Sequence, residues 1–159
     1  MYIFQYNIQE NVWSLFCILK IRRQNFASAI IEGKIVITGG KDCSFLIPGL
    51  KPLTYDYTEV IDLSSKTSRI AGNLNIPRQN HGMSIMKIGK EFKLVAFGGE
   101  YDQCLLDSIE IWNTSSETWE LSNTLKLRNK STRFSTATVF NGQFLNSYSF
   151  KSPNPSLGT

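Results

Sequence analysis

The sequence predicts an all-β repeat protein, a propeller or a solenoid, and three observations predict it. The first is a recurring opening. RQNFASAIIEGKIVITGG, from Arg23 to Gly40, returns as RQNHGMSIMKIGKEFKLVAFGG from Arg78 to Gly99, and RFSTATVFNGQF starts a third copy at Arg133. Arg23, Arg78 and Arg133 are spaced 55 positions apart. The second is the glycine pair, Gly39-Gly40 and Gly98-Gly99, that closes the two longer copies. The third follows each pair: a variable loop, then a short apolar run, Glu59-Val60-Ile61-Asp62 in one unit and Glu110-Ile111-Trp112-Asn113 in the next. Phe4-Gln5-Tyr6-Asn7 is a degenerate copy of that run. Trp13 and Trp119 each lie six positions after the closing Asn, where Asp62 leads to Ser68. Each unit therefore reads as two strands, Gly-Gly, loop, strand, polar turn, strand.

In chain order, Tyr2 to Asn7 and Val12 to Leu19 read as the third and fourth strands of a unit. Phe26 to Ile31 and Lys34 to Thr38 form a hairpin around Glu32-Gly33, a tight glycine turn. Ile35, Val36 and Ile37, and later Leu94, Val95, Ala96 and Phe97, are continuous apolar runs, which marks strands covered on both faces. The paired glycines let the backbone turn sharply or pack where a side chain would clash. No GxxxxGKS or GxGxxG pattern accompanies them, so a phosphate loop is not indicated.

The stretch from Lys41 to Tyr57 is the least repetitive, with Cys43, Pro48, Gly49, Pro52 and the apolar Phe45, Leu46 and Ile47. Its counterpart, Glu100 to Leu106, is much shorter and carries Tyr101. A long insertion on a rigid scaffold is either a binding element or a neutral one packed on its own unit. In a four-stranded antiparallel unit, the loop after the second strand and the connection into the next unit leave the same end. Lys41 to Tyr57, Glu100 to Leu106, both RQN segments and Lys126 to Arg133 therefore share one face. Asn25, Asn80 and Arg133 stand at its edge, either presenting polar groups or satisfying turn backbone.

The paired glycines, the Glu-apolar-aromatic-Asx run and the Trp at fixed offset together resemble the kelch repeat over roughly residues 2 to 140. The resemblance implies an all-β, partial kelch β-propeller of two complete four-stranded antiparallel blades plus half blades at each end. Units fall at about 2–20, 26–74, 81–125 and 134–149, with a disordered tail at 150–159. Departures are Ser68 in place of Trp, Ile61 and Trp112 in place of Tyr, and no Gly-Gly after Gln143. Propellers have typically four to eight blades, so the chain reads as part of a longer protein. Taken alone it should leave apolar blade faces uncovered and be poorly soluble or self-associated.

The resemblance implies a protein-interaction module without enzymatic activity or cofactors, whose partners are protein targets held on one loop face by residues such as Asn25, Phe45, Asn80, Tyr101 and Arg133. The kelch-like family often supplies substrate recognition to cullin-type ubiquitin ligase adaptors through an upstream BTB domain. Actin-associated kelch proteins are the alternative. A kelch-type copper oxidase needs two His and two Tyr ligands, and this chain has one His. That residue, His81, occupies the slot of Phe26 and Phe134, which suits packing. Gly39, Gly40, Gly98, Gly99, Glu59, Glu110, Trp13 and Trp119 recur with the repeat and read as architectural, since a single active site needs a residue only once.

Composition agrees, with 42% hydrophobic and 12% aromatic residues in 159. The net charge of +4 is spread through every unit, with one cluster at Lys126, Arg128, Lys130 and Arg133 that is a solvated loop or an acidic-partner contact. No nucleic-acid motif accompanies it. Cys17, Cys43 and Cys104 fall at unrelated positions of the repeat and have no zinc-ligand spacing. They suit free thiols in a reducing, cytoplasmic setting. The basic Lys20, Arg22 and Arg23 follow the first apolar run rather than preceding it, the wrong order for a signal peptide. No run approaches the 18 or more apolar residues of a membrane span.

Overall fold

The computed structural model describes residues 1–42 and 52–128, and the backbone of two strands at 137–140 and 143–146. The expectations for Phe45, Cys43, Lys130, Arg133 and the 150–159 tail lie outside the described residues.

The described chain is all β. A first hairpin pairs β1 (Tyr2–Asn7) with β2 (Val12–Ile18). A four-stranded meander follows, in the order β3 (Ala27–Ile31), β4 (Lys34–Thr38), β5 (Thr58–Asp62) and β6 (Ser68–Ile70). A second meander contains β7 (Gly82–Ile88), β8 (Glu91–Phe97), β11 (Ser108–Asn113) and β12 (Thr118–Lys126). Between β8 and β11 a small hairpin, β9 (Glu100–Tyr101) and β10 (Cys104–Leu105), stands apart as its own sheet. β13 (Ala137–Phe140) and β14 (Gln143–Asn146) form a last hairpin. All pairings are antiparallel. The two complete blades and the half blade on either side are those expected from the repeat.

The β9–β10 hairpin was not evident in the sequence. Its two turn residues, Asp102 and Gln103, both take left-handed backbone (φ 45° and 66°). That is the conformation a two-residue hairpin turn requires, but here without the glycine or asparagine that announces it.

The blades stack face to face, and three apolar layers lie in sequence. Cys17 and Leu19 of the first hairpin pack with Ile37 and Ile61 of the first blade. Ile31, Val36, Val60 and Leu74 of that blade pack with Leu94, Ala96, Trp112 and Trp119 of the second. Val95, Phe97 and Ile109 form a third layer on the far side of the second blade, and β13 lies against β7. Each apolar run thus splits by alternation between the two neighbours: Val36 faces forward and Ile37 backward. This is why β4 and β8 are apolar at consecutive positions.

The polar turn between the third and fourth strands is the same object three times. Asn7 Oδ1 accepts the backbone N–H of Gln9 and Glu10, Asp62 Oδ1 those of Ser64 and Ser65, and Asn113 Oδ1 those of Ser115 and Ser116. Four positions on, Asn11, Lys66 and Glu117 each adopt left-handed backbone. A short oxygen-bearing side chain at the strand end builds the turn from its own residue. The Asp62 carboxyl is consequently held down at about 2, mainly by the Ser64 hydroxyl and then by the two N–H donors.

Candidate functional site

Each blade begins with an arginine that the chain buries. Arg23 and Arg78 are 2% and 0% exposed, and each faces the carboxylate that opens its own third strand. Arg78 Nη2 meets Glu110 Oε1 at 2.7 Å. Nη2 also donates to Ser108 Oγ, and Nη1 donates to the carbonyls of Gly98 and Ser108. Glu110 in turn accepts the N–H groups of Asn75 and Ile76, which tie down the connection between blades. Arg23 repeats the arrangement more loosely. Its Nη1 donates to the carbonyls of Gly39 and Tyr57, its Nη2 stands 3.7 Å from Glu59 Oε2, and Glu59 accepts the N–H groups of Lys20 and Ile21. Burial pulls both guanidinium pKa values down, and the facing carboxylate pulls them back.

These ion pairs were not found by sequence reasoning. The signal was present, because both members recur in register: Arg23 with Glu59, and Arg78 with Glu110.

The pairs fix the backbone that carries the loop face. Gln24 and Lys41 exchange two backbone hydrogen bonds of 3.0 and 2.9 Å, and Gln79 and Glu100 exchange two of 3.0 and 2.9 Å. Each RQN segment is thereby stitched to the start of the loop that follows its own Gly-Gly, so both belong to one end of the blade. Gly39, Gly40, Gly98 and Gly99 lie at φ of 62° to 89°. A Cβ on Gly39 would sit 2.4 Å from the Arg78 carbonyl oxygen, and one on Gly99 would sit 2.6 Å from that of Gln79. Glycine is required there for conformation and for room.

Of the candidate contact residues, Asn25 and Asn80 both take left-handed backbone, at φ 57° and 53°. Asn25 is exposed. Asn80 is half-buried, donates from Nδ2 to Glu100 Oε1 at 3.0 Å, and its N–H reaches the Asn25 carbonyl at 2.9 Å. Its side chain therefore closes a turn, while Asn25 is presented to solvent. Tyr101 is 42% exposed on the β9–β10 hairpin. Phe45 and Arg133 lie outside the described residues. The structure thus brings Asn25, Asn80 and Tyr101 to one end of two adjacent blades.

The two tryptophans take equivalent places. Trp13 pairs with Tyr6 across β1–β2 and Trp119 with Trp112 across β11–β12, with ring centroids 5.0 and 5.1 Å apart. Trp119 is buried on the first blade, where its Nε1 donates to Thr58 Oγ1 at 2.8 Å. Trp13 is 66% exposed. Glu59 and Glu110 are fully buried.

His81 lies buried at the blade seam, its ring nitrogens without a hydrogen-bond partner. Burial, and then the charge of Arg78, holds its pKa well below the usual range. Among the described residues no group of three His, Cys, Asp or Glu could hold a metal ion, and no helix is long and apolar enough to cross a membrane.

Over 117 residues the chain is 27% identical to kelch repeat and BTB domain-containing protein 1 of camelpox virus, and equally to the proteins of that name in horsepox and cowpox viruses. By name these relatives carry kelch repeats, and the repeat of this chain is similar to theirs. The match covers 74% of this chain and 19% of each relative, so the chain spans about a fifth of their length. No protein-family model matches it. In kelch terms, the buried Arg–Glu pairs and the Gly-Gly turns form the blade frame, and the loop face is what the frame displays.

Proposed function

We propose that this chain is a non-enzymatic protein-binding module, with the loop face as its recognition surface. The observation that carries the reading is the stitching of both RQN segments to the post-glycine loops by paired backbone hydrogen bonds, above buried ion pairs. Asn25 and Tyr101 are therefore displayed on a stiff frame, which lowers the ordering cost of binding. The finer reading is substrate recognition for a cullin-type ubiquitin ligase, in a reducing, cytoplasmic setting. What supports it is that the viral relatives carry a BTB domain as well as kelch repeats, by name.

The test compares proteins cross-linked in cells to the wild type with those cross-linked to a Tyr101→Ala, Asn25→Ala variant. Phe92→Ala, at a 69% exposed site beside the β7–β8 turn at the opposite end of the blade, serves as control. The expected result is a partner set lost in the first variant and retained in the control. Equal recovery from all three would overturn the loop face as the surface. For the ligase reading, the same partners should accumulate when cullin ligases are inhibited, and unchanged levels would argue for binding without degradation.

A further inference from the structure

Two tight turns of this chain share one backbone and differ in sequence. Glu32 and Gly33, between β3 and β4, lie at φ 48° and 72°, and Asp102 and Gln103, between β9 and β10, lie at φ 45° and 66°. A turn of this kind puts both residues in left-handed backbone, which glycine adopts without strain. At Gln103 a residue with a long side chain adopts it instead, at a cost in folding free energy. Among the described residues this is the one place where two consecutive residues other than glycine are both left-handed.

No polar contact within the described chain offsets that cost. Tyr101, Asp102, Gln103 and Cys104 are all exposed. Neither Asp102 nor Gln103 has a side-chain hydrogen bond or ion pair among the described residues, although Lys126 and Arg128 stand at the same end of the blade. The hairpin adds nothing to the blade sheet either, because β9 and β10 pair only with each other, Tyr101 opposite Cys104 and Glu100 opposite Leu105.

Its base, in contrast, is fixed. Glu100 and Gln79 exchange two backbone hydrogen bonds, and the Leu106 N–H reaches the Gly99 carbonyl at 2.9 Å. Glu100 Oε1 accepts Asn80 Nδ2. The tip is thus held out from a stiff root by a strained pair of residues whose side chains are free. A local rule broken without compensation inside the fold points to a contact outside it.

We propose that Asp102 and Gln103 are specificity-determining contacts of the loop face, and that they receive a cationic side chain, an arginine, of a protein partner. The inference rests on the loop face being the recognition surface. The unpaired Asp102 carboxylate follows directly on the exposed Tyr101 ring. A guanidinium takes a carboxylate through two N–H groups and stacks on an aromatic face, which an ammonium does less well. The Gln103 amide supplies a donor and an acceptor for the partner's peptide groups.

The probe is an array of synthetic peptides with mixed flanks and arginine, citrulline or glutamate at one central position, read with the full chain. Citrulline keeps the shape of arginine and removes its charge. The wild type is expected to bind the arginine members about tenfold better than the citrulline members, and the isosteric Asp102→Asn is expected to lose that preference. Gln103→Gly gives the turn the glycine found at Gly33. It is expected to weaken binding to the arginine members while the thermal midpoint stays or rises. The Tyr101→Ala, Asn25→Ala variant separates the two readings. If it loses binding while Asp102→Asn and Gln103→Gly bind as the wild type does, the loop face stands and this proposal falls. If every variant binds as the wild type does, both fall. A wild type indifferent to the central residue would overturn the proposal, and so would a lowered midpoint in Gln103→Gly, which would place Gln103 in the fold.

Discussion

Arg78 shows how a blade of this chain tolerates a buried charge. An unpaired ion in such a place costs several kcal/mol, and the pair itself roughly breaks even against an apolar substitute. Its contribution is to hold geometry: one guanidinium bonds the carbonyl of Gly98 at the glycine turn, the carbonyl of Ser108 where the third strand begins, and Glu110. Removing one partner should therefore be worse than removing both. Glu110→Gln is expected to destabilise the chain by about 3–5 kcal/mol, and Arg78→Met with Glu110→Leu by clearly less, read from urea midpoints in a double-mutant cycle. Equal losses would mean that the pair acts only through its hydrogen bonds to backbone. The Arg23–Glu59 pair is longer, at 3.7 Å, and Arg23 leaves Nε and Nη2 without hydrogen bonds. The same cycle there should give a smaller coupling.

At the scale of elements, the glycine turn and the Asx turn carry the repeat. Gly39 sits at φ 63° with the Arg78 carbonyl where a Cβ would go, so Gly39→Ala meets both strain and backbone. The left-handed conformation alone costs a non-glycine residue about 1–3 kcal/mol, and the clash adds to it because a carbonyl in a hydrogen-bonded segment cannot swing aside. A fall in the thermal midpoint of several degrees is expected, and an unchanged midpoint would show that the seam is loose. These elements were the legible part. Gly-Gly, the Glu-to-Asx run and the 55-residue spacing give the first hairpin of the first blade and the third strand of both blades to within a residue or two, because each is required by local backbone chemistry. The burial of Arg23 and Arg78 was not legible in the same way. Their neighbours Gln24, Asn25, Gln79 and Asn80 are polar, and only the third-strand glutamate, more than 30 positions away, makes the arginine a core residue. Asn25 and Asn80 show the remaining limit: identical in sequence context, they differ in exposure because Glu100 lies within reach of Asn80.

The whole molecule is a stack of seams, and one of them contains the chain's single histidine. His81 packs where a Cβ on Gly39 or Gly99 would go, its ring against Gly39 and its Cα and Cβ against Gly99, which ties the glycine turns of both blades to one residue. Buried and beside Arg78, it stays neutral in the folded chain far below the pKa near 6.5 that it has when unfolded. Below that pH the unfolded chain takes up a proton that the folded chain does not. Stability then falls with pH, with a slope of up to about 1.4 kcal/mol per pH unit from this one group. The depressed carboxylates act in the same direction, but only lower: Asp62 titrates at about 2, and Glu117 is held below its ordinary value by Arg69 and Lys34. The interval from pH 6.5 to 5 therefore belongs to His81. His81→Phe, which copies the residue of the first blade at Phe26, should remove the slope in that interval whatever it does to stability at neutral pH. Urea midpoints at pH 7.5, 6.0 and 5.0 for the two proteins decide it. Parallel losses would place the titrating group elsewhere and leave the seam insensitive to protons.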